Sequence, residues 1–136
     1  MYLIDTNVIS EARKGRASNP GVRNFFRTID AASGYLAVQT LGELRRGLEN
    51  IRYRGDAPQA TRLEKWLDLI VANFAGRILK FDDACAQVWG RLMSPHYQHP
   101  IDKQIAAIAL IHDLTVVTRN VEGFRGTGVA LTNPFT

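Results

Sequence analysis

A chain of 136 residues with 46% hydrophobic residues is sufficient for one buried core, so the composition excludes a disordered or fibrous protein. The 17 Lys and Arg residues exceed the 13 Asp and Glu residues, and the net charge of +4 is compatible with a nucleic-acid partner without requiring one. A single cysteine, Cys85 in an apolar stretch, excludes an internal disulfide and predicts a buried structural thiol. With no signal peptide or long apolar run, we expect one domain over residues 1–136 that is cytoplasmic and has no membrane partner.

Strands and helices alternate along the sequence. In chain order the predicted elements are strand Tyr2–Ile4, a helical turn Val8–Arg13, a helix from Pro20 to Ile29, strand Tyr35–Val38, helix Thr40–Ile51, helix Ala60–Phe74, strand Arg77–Phe81, a helix from Asp82 or Asp83 to Met93, helix Gln104–His112 opened by Asp102, strand Thr115–Thr118 and strand Val129–Leu131. Asn19 before Pro20 is a helix-start signal. This alternation predicts an α/β sandwich with a mostly parallel sheet.

Oxygen-bearing side chains follow the predicted strands. Asp5 follows the first strand, Glu43 lies one turn into the helix after the second, and Asn120 follows the Thr115–Thr118 strand. Asp102 opens the helix that precedes that strand. Reactive groups of parallel sheets gather at the carboxyl ends of the strands, so we expect these side chains to share one edge. Clustered carboxylates repel one another unless a cation lies between them, which favours a hard divalent metal and phosphodiester hydrolysis.

Each of these residues also has an interpretation without catalysis. Asp5 could cap a turn, and Glu43 could be a solvated charge or part of a helical ion pair. Asp102 is a good helix N-cap, and Asn120 tolerates the left-handed conformation common after a strand. Spacing alone leaves the functional and structural interpretations open.

Four motifs in register resemble the PIN domains of the VapC and FitB-like toxins and cover essentially the whole chain. They are Tyr2-Leu3-Ile4-Asp5-Thr6-Asn7-Val8-Ile9-Ser10-Glu11, Thr40-Leu41-Gly42-Glu43-Leu44-Arg45-Arg46-Gly47, Pro100-Ile101-Asp102 with Gln104-Ile105-Ala106-Ala107, and Val116-Val117-Thr118-Arg119-Asn120 with Phe124 and Asn133-Pro134-Phe135. The resemblance implies a three-layer α/β/α sandwich around a parallel sheet. It also implies a Mg²⁺- or Mn²⁺-dependent endoribonuclease, the toxin of a type II toxin–antitoxin pair, usually dimeric. A cognate VapB-like antitoxin would block the active-site groove.

The same resemblance assigns roles to individual residues. The metal ligands would be Asp5, Asp102 and Glu43, and these acids together with Asn120 would be the catalytic residues. Two neighbouring side chains, Asn7 and Thr118, would orient carboxylates or waters. Arg119 would contact phosphate or the antitoxin. The basic residues after Glu43 could receive RNA or instead form a solvated dimer or antitoxin face; they are Arg45, Arg46, Arg52, Arg54 and Arg62.

One position departs from the family pattern. Many PIN nucleases carry a fourth acid where this chain has Asn120, and Glu122 is the nearest substitute. We therefore expect one firmly bound metal, and a PIN-like module that binds RNA or a partner without cutting is the alternative function. A haloacid-dehalogenase-like phosphotransferase is disfavoured because Asn7 stands where its second Asp is needed. Trp66 and Trp89 lie on apolar helical stripes, which predicts core packing rather than base stacking.

Overall fold

The chain folds into alternating strands and helices in a computed structural model that describes all residues from 1 to 136. The strands are β1 (Tyr2–Ile4), β2 (Gly34–Ala37), β3 (Ile78–Leu79), β4 (Thr115–Val117) and β5 (Leu131–Thr132). The α-helices are α1 (Thr6–Ala12), α2 (Pro20–Thr28), α3 (Val38–Tyr53), α4 (Ala57–Asn73), α5 (Asp83–Leu92) and α6 (Pro100–His112). Three short 3₁₀ turns span Gly15–Ala17, Ala31–Ser33 and Val121–Phe124.

The five strands form one parallel sheet in the order β3-β2-β1-β4-β5. Successive residues of a strand point to opposite faces, and both faces of this sheet are apolar. Leu3 pairs with Val116, and both belong to the core under α5 and α6. Ile4 pairs with Val117, and both belong to the core shared with α1–α4. The predicted three-layer α/β/α sandwich with a parallel sheet is therefore confirmed.

Side-chain caps define several helix starts. Asn19 Oδ1 accepts hydrogen bonds from the backbone N–H groups of Gly21 and Val22, as its position before Pro20 predicts. Asp82, rather than Asp83, caps α5 by accepting from Cys85 N at 2.9 Å. Cys85 itself is fully buried, as predicted.

Several predicted boundaries were wrong. Val38 is not the end of a strand, because α3 begins directly after Ala37 with no connecting loop. The last strand starts at Leu131 instead of Val129, because Leu131 is the first residue that pairs with β4, opposite Val116.

The start of α6 was also predicted wrongly. The helix begins at Pro100, not at Gln104, and its N-cap is His99 in the left-handed conformation, φ 56° and ψ 52°. Asp102 therefore lies within the first turn and does not cap the helix. Pro100 at the first helical position has a fixed φ suited to this start. None of the helices combines the length and apolar character needed to cross a lipid bilayer.

Candidate active site

The sheet order explains why distant polar residues meet. Strand β1 is central, with β2 on one side and β4 on the other, and all three run in the same direction. Asp5 follows β1, Thr118 follows β4, and Glu43 lies in the second turn of α3 immediately after β2. The carboxyl ends of these strands therefore bring the three residues to one edge, where α6 adds Asp102 from its first turn.

Asp5 is the buried centre of this edge, with only 4% of its surface exposed. Its Oδ1 accepts from Thr6 N at 2.8 Å, and its Oδ2 accepts from Thr118 Oγ1 at 2.8 Å and Asn7 Nδ2 at 3.2 Å. Burial raises the pKa of Asp5 above its ordinary value, although the hydrogen bonds act in the opposite direction. Asp5 also serves as the N-cap of α1, so the capping interpretation of this residue is confirmed.

Asp102 is held from the other side of the cleft. Asn120 Nδ2 donates to its Oδ2 at 3.0 Å, and His99 Nδ1 lies 3.9 Å from the same oxygen. Gly123 approaches so closely that a Cβ there would lie 2.0 Å from Asp102 Oδ2. Burial, followed by the negative charges of the other two acids, raises the pKa of Asp102 to about 6.

Glu43 lies at the solvent-exposed rim of the cleft. Its Oε1 accepts from Thr6 Oγ1 at 2.6 Å, and the Thr6 hydroxyl is also 3.2 Å from Thr40 Oγ1. Partial burial of the Glu43 carboxylate and the charge of Asp5 raise its pKa, whereas the charge of Arg46 lowers it. Glu43 is therefore tied to the helix that Asp5 caps, and its charge raises the pKa of Asp102.

The three acids carry oxygen ligands of the type that a hard divalent cation prefers. As they lie in this structure, no three Asp, Glu, His or Cys side chains of the chain are grouped so that they could hold a metal ion. Yet the charge of Asp5 raises the pKa of both Glu43 and Asp102, which shows that the carboxylates repel one another in a shared cleft. Mg²⁺ and Mn²⁺ prefer oxygen ligands, and Mg²⁺ commonly takes one or two carboxylates plus several waters. The open arrangement of these acids suits that coordination.

Asn7 and Thr118 form a polar shelf beneath Asp5. Asn7 Nδ2 donates to Thr118 Oγ1 at 3.2 Å, and Asn7 Oδ1 accepts from the backbone N–H of Arg119 at 2.9 Å. The Thr118 hydroxyl also accepts from Asn120 N at 2.9 Å. These hydrogen bonds link the end of β1 to the end of β4 and fix the orientation of the Asp5 carboxylate.

Glu122 does not substitute for the missing fourth acid. It is exposed, and its Oε1 accepts from Arg125 Nη2 at 2.9 Å. The contact with Asp102 comes instead from Asn120, a neutral amide. The site therefore contains three acids, and the amide of Asn120 stands where a fourth acid was expected.

The basic residues expected to receive RNA are not equivalent. Arg45 Nη1 contacts Glu64 at 2.6 Å and Glu49 at 3.2 Å, so it joins α3 to α4. Arg46 forms no such ion pair and lines a shallow depression that includes Glu43. The Arg119 guanidinium lies 4.9 Å from the centre of the Phe135 ring, whereas its backbone N–H contacts Asn7. Arg46 is thus close to Glu43, whereas Arg119 packs on Phe135, and Arg45 and Arg52 share an ion-pair network with glutamates of α3 and α4.

Three further residues of the site were not predicted from the sequence. Thr6 follows Asp5 in the chain, and only the packing of α3 against α1 shows that it binds Glu43. Gly123 precedes Phe124 in a 3₁₀ turn, where a glycine can signal close approach of the backbone. His99 stands before a proline, which predicts an extended conformation rather than the left-handed one found.

Comparison with known proteins agrees with this geometry. The PIN domain family matches residues 2–128. The plasmid stability protein StbB of Pseudomonas syringae pv. tomato is 34% identical over 142 residues, and Toxin FitB of Neisseria gonorrhoeae is 34% identical over 140 residues, each match covering 99% of both chains. VapC ribonuclease Y4jK of Sinorhizobium fredii is 31% identical, covering 99% of this chain and 98% of the relative.

Solved structures give the same result. The crystal structure of FitAcB from Neisseria gonorrhoeae contains a chain with a TM-score of 0.87 and 34% identity, and 98% of each chain is covered. A toxin–antitoxin complex from Klebsiella pneumoniae contains a chain with a TM-score of 0.75 at 19% identity, covering 99% of this chain and 98% of that one, which shows the shared fold. Family match, full-length relatives and sheet-edge acids all agree: the chain belongs to the PIN domain family.

Proposed function

We propose that this protein is the toxin of a type II toxin–antitoxin pair and acts as a Mg²⁺- or Mn²⁺-dependent endoribonuclease. The observation that carries the proposal is the convergence of Asp5, Glu43 and Asp102 at one sheet edge, where burial raises all three pKa values and the charges of neighbouring acids raise those of Glu43 and Asp102 further. Relatives similar over their full length are described as a toxin and a VapC ribonuclease, which supports the same activity.

The side chains of the site would divide the binding of the cation and the positioning of its ligands between them. Asp5, Asp102 and Glu43 would hold the cation, while Thr118 and Asn7 keep the Asp5 carboxylate in a single orientation. When bound, the divalent cation supplies positive charge that activates water and offsets charge developing on the phosphoryl oxygens.

Asn120 fixes the second carboxylate through its hydrogen bond to Asp102. Arg46, beside Glu43, adds positive charge that would attract the RNA phosphates, and Arg119, which follows Thr118 in the chain, would contact a phosphate or the antitoxin.

An RNA-cleavage assay with an Asp5→Asn variant tests the activity. Asparagine preserves the size of Asp5 and can still accept from Thr6 N, so circular dichroism should show a folded protein. We expect cleavage of total cellular RNA by wild-type protein with Mg²⁺ or Mn²⁺, none with EDTA, and a loss of at least about 100-fold in the variant. Asp68→Asn, an exposed aspartate on α4, is the matched control and should cleave normally.

The same assay separates the nuclease from the alternative function. A PIN-like module that only binds RNA or a partner is favoured by the amide at Asn120, which replaces a fourth acid. Folded wild-type protein that binds RNA but cuts none of it with either metal would establish that alternative. Equal cleavage by wild type and Asp5→Asn would place the active centre elsewhere.

We also propose that a VapB-like antitoxin inhibits the enzyme by occupying an apolar groove that opens at the site. The groove has a volume of about 180 Å³ and begins at Thr6 and Glu43. It continues between α3 and α4; its apolar lining includes Leu44, Leu48, Ile51, Leu63, Trp66 and Leu67. A peptide segment with apolar side chains would fill this groove and cover Glu43 at the same time.

Filling the groove tests the inhibitor site. Gly47 lines the groove, and a Cβ built on it meets no atom within 4 Å, so Gly47→Leu should fold and obstruct the groove. We expect this variant to resist inhibition by the antitoxin at concentrations that silence the wild type. Gly90→Leu on α5, which is equally open, is the matched control and should remain sensitive. Equal inhibition of both variants would contradict the assignment.

A homodimer in the cytoplasm completes the proposal. Apolar side chains of α6 remain exposed in the single chain, namely Ile101, Leu110 and Ile111. Such side chains are common at subunit interfaces. Light scattering coupled to size-exclusion chromatography measures the mass directly, and a monomer at micromolar concentration would contradict this part of the proposal.

A further inference from the structure

A basic segment without any acid runs from the end of α1 to the end of α2. Between Glu11 and Asp30 the chain carries five basic residues and no Asp or Glu; the five are Arg13, Lys14, Arg16, Arg23 and Arg27. All five are exposed. Without these five charges, the net charge of +4 would become −1. The positive charge of the protein is therefore concentrated in this one segment.

Only part of this charge is engaged by other side chains. Lys14 contacts Glu11 at 2.9 Å, and the Arg13 guanidinium lies 5.9 Å from the centre of the Trp66 ring. The residues without a carboxylate within ion-pair distance are Arg16, Arg23 and Arg27. These three side chains form a surface that we call the α2 basic face.

Hydrogen bonds to neutral groups hold the α2 basic face. Arg23 Nη1 donates to the carbonyl of Arg16 at 2.9 Å, and Arg27 Nη2 donates to Asn24 Oδ1 at 2.6 Å. A guanidinium has five N–H donors, so most donors of Arg23 and Arg27 remain available. The two arginines line one open depression with Asn24 and Pro20. Arg23 also lines a neighbouring depression together with Arg16, so the three side chains form a continuous surface.

The stability of α2 does not account for these arginines. Arg23 and Arg27 are four residues apart on the same side of the helix, where like charges repel each other. In contrast, the arginines of α3 that form ion pairs, Arg45 and Arg52, each contact two glutamates. An unmatched group of cations on the surface is complementary to a polyanion.

Hydrogen bonds connect α2 to the edge that carries the acids. Asn7, which donates to Asp5 Oδ2 at 3.2 Å, and Glu11 are four residues apart and lie on the same side of α1. Glu11 Oε2 accepts from the backbone N–H of Asn19, the N-cap of α2, at 2.8 Å. The start of α2 therefore lies one helical turn of α1 from the polar shelf, and Arg23 follows one turn of α2 later.

We infer that the α2 basic face binds the phosphate backbone of the RNA outside the acid cleft. The inference rests on the proposed ribonuclease function and deepens it by locating a second contact surface for the same substrate. The guanidinium groups would donate to phosphate oxygens, for which their planar fork of donors is suited. Such contacts carry no information about base sequence, so the face would raise affinity without selecting bases.

RNA fits this face better than a peptide does. The depression between Arg23 and Arg27 has no Leu, Ile, Val or aromatic side chain in its lining. The groove between α3 and α4, which we assign to the antitoxin, is lined by such side chains. A repeating row of phosphates offers the anionic groups that three unpaired arginines require.

Fluorescence anisotropy over a series of salt concentrations tests the contact without relying on cleavage. The probe is a single-stranded RNA of roughly 12 nucleotides. All proteins carry Asp5→Asn, and EDTA is present, so the RNA stays intact. We expect Arg23→Gln combined with Arg27→Gln to weaken binding at low salt at least about 10-fold. The slope of log K against log salt should become less negative by about 1.4, because each phosphate contact contributes about 0.7.

Two further double variants serve as controls. Arg23→Lys combined with Arg27→Lys keeps both charges and should keep the parent's salt slope. Lys80→Gln combined with Arg91→Gln removes the same charge from exposed positions after β3 and on α5. Because solvent screens charges that lie far from the RNA, this variant should bind like the parent. Probes of only A and only U should lose equal affinity with the glutamine variant of α2.

The possible results separate this inference from the nuclease proposal. If wild-type protein cuts RNA and the glutamine variant of α2 binds with unchanged affinity and slope, the inference is overturned and the nuclease stands. If no protein cuts RNA but this variant still loses affinity and slope, the RNA-binding face stands and the nuclease falls. An equal loss with Lys80→Gln and Arg91→Gln would reveal a general effect of net charge and overturn the inference. Unchanged RNA binding with weakened antitoxin binding would assign the face to the protein partner and also overturn it.

Discussion

Replacing Asp102 by asparagine should stabilise the metal-free protein at neutral pH. The pKa of Asp102 rises from an ordinary value of 3.8 to about 6, because the carboxylate is partly buried beside two other acids. A pKa difference of about 2, at about 1.4 kcal/mol for each pH unit, corresponds to about 3 kcal/mol. With 19% of the Asp102 side chain exposed, solvent screens part of this effect, and we expect a gain of about 1–3 kcal/mol.

The gain should depend on pH with a defined sign. A carboxyl group whose pKa is higher in the folded state favours folding fully below pH 3.8, and this contribution is lost as pH rises through about 6. Above pH 7 the charged Asp102 therefore destabilises the wild-type protein to the full extent, whereas residue 102 of Asp102→Asn carries no charge at any pH. Asparagine can still accept the hydrogen bond from Asn120 Nδ2. The two proteins should converge in stability near pH 4.

Urea unfolding in EDTA between pH 4 and pH 8 measures this difference. Asp68→Asn removes one exposed negative charge from α4 and should change stability by less than about 0.5 kcal/mol at every pH. Saturating Mg²⁺ should reverse the order, because the cation binds folded wild-type protein and stabilises it while the variant has lost a ligand. A variant less stable than wild type at pH 8 in EDTA, or a gain independent of pH, would refute the electrostatic reasoning.

Further substitutions test how the carboxylates are held. Thr118→Val keeps the shape of the side chain but removes the 2.8 Å hydrogen bond to Asp5 Oδ2. We expect urea unfolding to show a stability loss of about 1–3 kcal/mol and the cleavage assay to show a lower kcat. Unchanged stability and kcat would contradict the positioning role of Thr118. Gly123→Ala would place a Cβ 2.0 Å from Asp102 Oδ2, so cleavage should fall at least about 10-fold. Gly90→Ala, in open space on α5, should leave cleavage intact and unfold at slightly higher urea; equal effects of the two alanines would exclude crowding as the cause.

Much of the fold could be predicted because its determinants are local. An apolar run ending on Asp5 specifies β1, and Asn19 before Pro20 specifies the start of α2. Boundaries set by tertiary pairing could not be read in this way. The extent of β5, for example, depends on which residues lie opposite β4, and β-branched composition alone placed it two residues too early at Val129.

The candidate site shows the same division. Asp5, Glu43 and Asp102 could be expected at one edge because parallel strands end together, and the family resemblance selected them. Their hydrogen-bond partners could not be predicted, since the Thr6–Glu43 contact joins residues 37 positions apart and depends on how α1 packs against α3. Likewise, no sequence pattern indicates that Arg45 is engaged by glutamates of α3 and α4 while Arg46 remains beside the acids.

The amide at Asn120 changes how the cleft balances its charge. An aspartate there would lie within hydrogen-bond distance of Asp102, and two ionised carboxylates that close would repel each other strongly. Asn120 instead donates to Asp102 Oδ2, which favours the charged form of that acid and lowers its pKa, opposing the effects of burial and of the neighbouring acids. Without a metal, the amide thus favours the ionised form of Asp102 at neutral pH. It also leaves the site with one negative charge fewer to hold a second cation. This balance is the physical reason to expect one firmly bound metal rather than two.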